Sequence, residues 1–216
     1  MLSRHFSNLR LALALLIGIV LSGCASGPKP AKSDAAQTPR QVAADERLRG
    51  VPTKALTLFE QAASAMAAGD AIDAELRFKE FVMQYPGYPG AYVNLAILST
   101  QSGDSKAAEG FITDALIIDP QHPAALNQLG MLLRRQGKFV EAESAYLKAV
   151  TANPDYALAH YNLGVLNELY LQRLDAALQH FERYQQIEGE DKQVTKWIVD
   201  LRRRLDVKQR TANVTE

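Results

Sequence analysis

The chain holds one cysteine, Cys24, and one tryptophan, Trp197, in 216 residues. A single cysteine excludes an internal disulfide and any metal site built from cysteines. No Gly-rich phosphate loop and no Gly-x-Ser-x-Gly nucleophile elbow occurs. After the first 24 residues the only histidines are His122, His160 and His180, and they are not at metal-ligand spacing. Basic and acidic residues balance at 24 each, without the concentrated positive charge that phosphate backbones demand. No apolar run reaches the about 20 residues of a membrane-spanning helix. These absences predict no enzyme, no metal or other cofactor, no small-molecule substrate and no nucleic-acid partner.

What the chain does contain is a period. Shifting by 34 residues carries Pro154 to Pro120 and Pro86, Gly137 to Gly103 and Gly69, and Ala142 to Ala108 and Ala74. The unit is clearest over 123–154, PAALNQLGMLLRRQGKFVEAESAYLKAVTANP. Leu126, Leu129, Gly130 and Leu133 form one helical stripe; Phe139, Ala142, Ala145, Tyr146 and Ala149 form a second. Gly137 stands between them, where a sharp turn is needed. A helix-turn-helix repeat of about 34 residues resembles the tetratricopeptide repeat (TPR) family. The resemblance implies an all-α TPR solenoid of about four helix-turn-helix repeats, at about 55–88, 89–122, 123–156 and 157–188.

The end repeats depart from the pattern. In repeat 1, Ile72, Leu76, Phe78 and Phe81 are expected to face the core, with Phe81 where the family has a small residue and filling the space a preceding repeat would occupy. In repeat 4, Tyr184 takes a small residue's place, and the turn at 170–174 lacks glycine and carries one extra residue. Beyond it, Val194, Trp197, Ile198, Leu201 and Leu205 fall on one stripe. This predicts a capping helix over 189–208, with Trp197 in its core, Arg202, Arg203 and Arg204 on a solvated face, and a frayed tail over 209–216.

The N-terminus has a different character. Arg4 and Arg10 precede an apolar run, LALALLIGIVL at 11–21, and then Leu21-Ser22-Gly23-Cys24. This pattern resembles a bacterial lipoprotein signal, which implies cleavage after residue 23 and acylation of Cys24. Two or three acyl chains give a stable anchor where one does not. Ala25 follows the cysteine in place of the Asp that holds enterobacterial lipoproteins in the inner membrane. The resemblance thus implies an outer-membrane protein, lipid-anchored and facing the periplasm. Residues 24–52, rich in Ala, Pro, Ser and Lys, read as a flexible tether.

In TPR proteins the first helix of each repeat lines a concave groove. Carried over by position, Glu60, Asn94, Gln128 and Asn162 recur at 34-residue spacing in that groove. An amide ladder there would hold an extended peptide backbone; the alternative is that Asn and Gln are merely common surface residues. Around the ladder lie Gln101, Asn127, Met131, Arg134, Arg135 and Tyr161, with the two arginines suited to a carboxylate. If the ladder reading holds, Asn94→Ala with Asn162→Ala weakens partner binding and leaves the melting temperature unchanged. A lipid-anchored TPR protein resembles the pilotins of type IV pilus secretins, which implies a protein-binding scaffold in pilus or secretin assembly. The alternative is an accessory factor that recruits cell-wall enzymes or energy-coupling complexes of the envelope.

Overall fold

Helices dominate because apolar residues recur at three- and four-residue spacing between strong stop signals. The computed structural model describes residues 51–214, with side chains to 211, all in the unit spanning Gly50–Glu216. Cys24, the signal segment 1–23 and nearly all of the tether 24–52 lie outside the described residues. Among those described there are nine helices and no strand. They are α1 (Thr53–Ala67), α2 (Ala71–Gln84), α3 (Pro89–Gln101), α4 (Ser105–Ile118), α5 (Pro123–Arg135), α6 (Phe139–Ala152), α7 (Ala157–Leu169), α8 (Leu174–Glu188) and α9 (Lys192–Val214).

Several boundaries have a local cause. Pro89 and Pro123 open α3 and α5, where the missing N–H has no intrahelical partner to lose. The Asp70 and Asp104 carboxylates accept the backbone N–H of Asp73 and Ala107 and so cap α2 and α4. His122 does the same for α5 through its Nδ1, which accepts the Ala125 N–H at 3.2 Å. The first three intra-repeat turns end on Gly69, Gly103 and Gly137 at φ +81°, +86° and +76°, a region that side chains resist. The fourth turn has its extra residue, and Gln172 takes φ +55° instead.

Packing follows the repeat. Within each repeat the two helices lie against one another, and each second helix packs on the first helix of the next repeat. Successive first helices, α3 with α5 and α5 with α7, also touch; successive second helices do not pack in this way. The first helices therefore form the inner layer of a curved stack, and the second helices spread along its outside. Small residues set the helix separation. Ala74, Ala108, Ala142 and Ala177 are fully buried. A Cβ on Gly130 would lie 2.5 Å from the Tyr146 ring, and one on Gly164 would lie 2.6 Å from the Phe181 ring. Only glycine lets these aromatic rings seat against the facing helix.

The end repeats differ from the sequence pattern in three respects. Ile72 and Leu76 are 84% and 66% exposed instead of buried. Helix α2 turns Ala74, Phe78 and Phe81 inward, and Ile72 and Leu76, each two positions from Ala74, fall on the opposite side of the helix. Phe81 does not fill the outer end; its ring meets Phe59 of α1 at 5.6 Å and Tyr88, at the start of α3, at 5.8 Å. The last helix runs from Lys192 to Val214, past the end of a 189–208 cap and through most of the segment that reads as a frayed tail. It is fastened by Val194, Ile198, Leu201 and Leu205, all buried, and capped by Asp191, whose Oδ1 accepts the N–H of Gln193 and Val194.

Candidate functional site

The inner layer is where the sequence places the partner site, and the structure sorts those residues into two groups. The first group is consumed by the fold. Asn127 and Asn162 are only 1% and 7% exposed. Asn162 Nδ2 donates to Asn127 Oδ1 at 2.9 Å, and Asn127 Nδ2 faces Met131 Sδ at 3.8 Å. This amide pair ties α5 to α7. The 34-residue ladder runs Asn94, Gln128, Asn162, but Asn162 reaches 35 positions back and across to the buried neighbour of Gln128. Asn162 is thus a structural amide, and its loss should cost stability, contrary to the expectation drawn from the ladder. Tyr161 is also engaged. Its ring lies 6.1 Å from Phe181, 5.4 Å from Tyr184 and 5.9 Å from Trp197, inside the aromatic cluster under α9.

The second group is available. Asn94 and Gln128 are half-buried, Gln101 is exposed, and Met131 is half-buried against the core with its Sδ facing Asn127. Arg134 is half-buried and Arg135 exposed in the last turn of α5, and among the described residues neither guanidinium is hydrogen-bonded or ion-paired. The arginines around them are different. Arg173 pairs with Glu143 at 2.7 Å and Arg202 with Glu182 at 2.6 Å. Arg203 pairs with Asp200 at 2.6 Å and Arg204 with Glu168 at 2.9 Å. The three consecutive arginines of α9 are therefore bonded within the protein, and Arg204 neutralises the Glu168 carboxylate on the groove side of repeat 4. What remains open at the middle of the inner layer is positive charge beside amide and thioether groups.

Among the described residues no group of three or more His, Cys, Asp or Glu is placed to hold a metal ion. Two clefts of about 560 and 480 Å³ lie between α8 and α9 and between α1 and α2. Neither is lined by Asn94, Gln101, Gln128, Met131, Arg134 or Arg135. Sequence reasoning missed one cluster altogether. His160 and His180, 20 residues apart, meet with their Nδ1 atoms 3.2 Å apart. Only the placement of two helices brings them together; the signal available in the sequence is that each stands at a position where repeat 3 holds a buried apolar residue.

Stacked helical hairpins define a class of repeat scaffolds that contact other proteins. Comparison with known proteins agrees. Two tetratricopeptide repeat family profiles match, over residues 65–132 and 127–191, together more than half of the chain. The chain belongs to the tetratricopeptide repeat family, whose members are generally non-enzymatic scaffolds for protein–protein interaction. Solved structures share the fold. One is Pseudomonas aeruginosa PilF, with 22% identity and TM-score 0.62 over 73% of this chain and 72% of that one. Another is a thermophilic TPR protein of Thermus thermophilus, with 20% identity and TM-score 0.59 over 73% and 86% of the two chains. A third is the first TPR of Spaghetti (RPAP3) bound to the HSP90 peptide SRMEEVD, with 23% identity and TM-score 0.51 over 55% and 95%. No curated protein matches the chain.

Proposed function

We propose that this protein is a lipid-anchored interaction scaffold of the outer membrane, facing the periplasm, that holds a segment of another protein on its inner face at repeat 3. The observation that carries this reading is the pair of unpartnered guanidiniums, Arg134 and Arg135, in an inner layer where Glu168 is already neutralised by Arg204. A protein segment bearing a carboxylate satisfies them, with Asn94, Gln101, Gln128 and Met131 as the adjoining contacts. Anchoring rests on the lipobox-like Leu21-Ser22-Gly23-Cys24. The combination of lipobox and TPR stack supports a role in pilus or secretin assembly, with the secretin or a companion of it as the guest.

Co-isolation of the full chain from detergent-solubilised envelopes, under mild crosslinking, tests the binding half. Arg134→Ala with Arg135→Ala should remove the co-isolated protein and leave the thermal melt nearly unchanged, because neither side chain makes a hydrogen bond or ion pair within the fold. Recovery of the same partner in the same amount by this variant contradicts the assignment. Cys24→Ser tests the anchoring half: the protein should leave the outer-membrane fraction, and the secretin oligomer should fail to assemble there. Retention in the membrane after salt extraction contradicts it.

A further inference from the structure

Helices α7 and α8 meet through two imidazoles. His160, 9% exposed, places its Nδ1 3.2 Å from Nδ1 of His180, with the ring centroids 5.4 Å apart. The preceding repeat shows what normally stands there. Gly164 and Phe181 repeat the contact of Gly130 and Tyr146, so His160 and His180 correspond to Leu126 and Ala145, both buried and apolar. Repeat 4 puts two titratable rings where repeat 3 puts hydrocarbon.

The protons follow from the partners. His160 Nε2 lies 3.2 Å from the carbonyl oxygen of Pro154, which only accepts, so Nε2 carries hydrogen and Nδ1 presents a lone pair. His180 Nδ1 must then donate. One proton serves two facing nitrogens, and both rings are neutral. Burial pushes the pKa of both rings down, His180 to about 4, with the charged form of His160 opposing it as well. On His160, Arg183 of α8 opposes and Asp155, in the turn before α7, favours the charged form; these two are bonded to one another at 2.6 Å. The charged side chains that act on the pair are Arg183 and Asp155, with none from α5, α6 or α9, the other helices packed on α7 or α8.

We propose that the His160–His180 pair is an acid-operated latch: protonation opens the α7–α8 joint and releases α9 from the end of the stack. A proton added between the rings sets two N–H donors against each other, and one added elsewhere leaves a half-buried cation. The coupling to α9 is direct. Tyr161 and Phe181, the next residues along each helix, are the rings on which Trp197 of α9 packs, at 5.9 and 5.4 Å. Both folded-state pKa values lie below the unfolded value of about 6.5, so the unfolded joint binds more protons as the solution acidifies. The joint is therefore at full strength above about pH 6.5 and weakens as the pH falls toward about 4.

Trp197 is the only tryptophan, so its emission reads the joint without a label. On acidifying the full chain from about pH 7.5 to about pH 4, the emission should shift to the red with a midpoint inside the window of the lowered histidines, and most of the helical circular dichroism should persist. His160→Leu with His180→Ala, which copies repeat 3, should hold its neutral-pH emission through that window. An unshifted wild type, or a double variant that shifts at the same pH, overturns the proposal. Should the double variant not fold, imidazole NMR titration of the wild type decides: two values below about 6.5 support the latch, and a value at or above it for either ring overturns it.

Discussion

Buried side chains in this protein are placed with little tolerance. Gly130 faces the Tyr146 ring so closely that one added methyl overlaps it. Gly130→Ala should lower the unfolding free energy by about 1–3 kcal/mol, measured by urea denaturation, because the ring and the helix behind it must shift. Asn162→Ala should cost a similar about 1–3 kcal/mol by leaving the Asn127 carbonyl buried without its donor. Asn94, half-buried and outside any hydrogen bond, should tolerate alanine with no change in stability. The sequence treats Asn94 and Asn162 as equivalent because they fall on the same position of the 34-residue period. The structure separates them: only repeat 3 offers an amide, Asn127, at the place an inward-turned neighbour can reach, while repeat 1 has Phe59 and repeat 2 has Val93 there. Residue-level function in a repeat protein is set by such cross-repeat pairs, and a one-residue offset is invisible to the period.

Helices and turns were far more legible. The glycine at each of three turns, the prolines at or near helix starts and the alanines at helix crossings are local requirements, so they recur at fixed spacing and announce the elements. Element ends and outer faces were less legible. Helix α2 carries apolar residues on two faces, and the sequence alone does not say that Phe78 and Phe81 go in while Ile72 and Leu76 stay out. Helix α9 extends to Val214 because Asp191 caps its start and its apolar stripe is held along α8, not because its last turns are strongly apolar. Leu201 is fully buried at that contact. Leu201→Ala should cost about 2–5 kcal/mol and should loosen α9 before the inner repeats, which the wavelength of Trp197 emission reports during a denaturant titration. A single transition shared by Trp197 and the helical signal at the wild-type midpoint would show that α9 is not held through Leu201.

Across the described repeats both layers leave apolar side chains exposed, Leu158 and Leu169 of α7 among those of the inner layer. The inner layer offers Gln101, Arg134 and Arg135 at its centre, and the outer layer leaves Ile72, Met83 and Leu147 exposed. Partner binding belongs to the inner face on the present reading, since its charge is unmet and its amides and thioether suit a peptide chain. Site-specific photocrosslinking in the native envelope distinguishes the faces directly. A photoreactive residue placed at Gln101 or at Arg135 should capture one and the same partner protein, while one at Met83 or Leu147 captures none. Capture from Met83 or Leu147 with none from Gln101 or Arg135 would contradict the inner-face site.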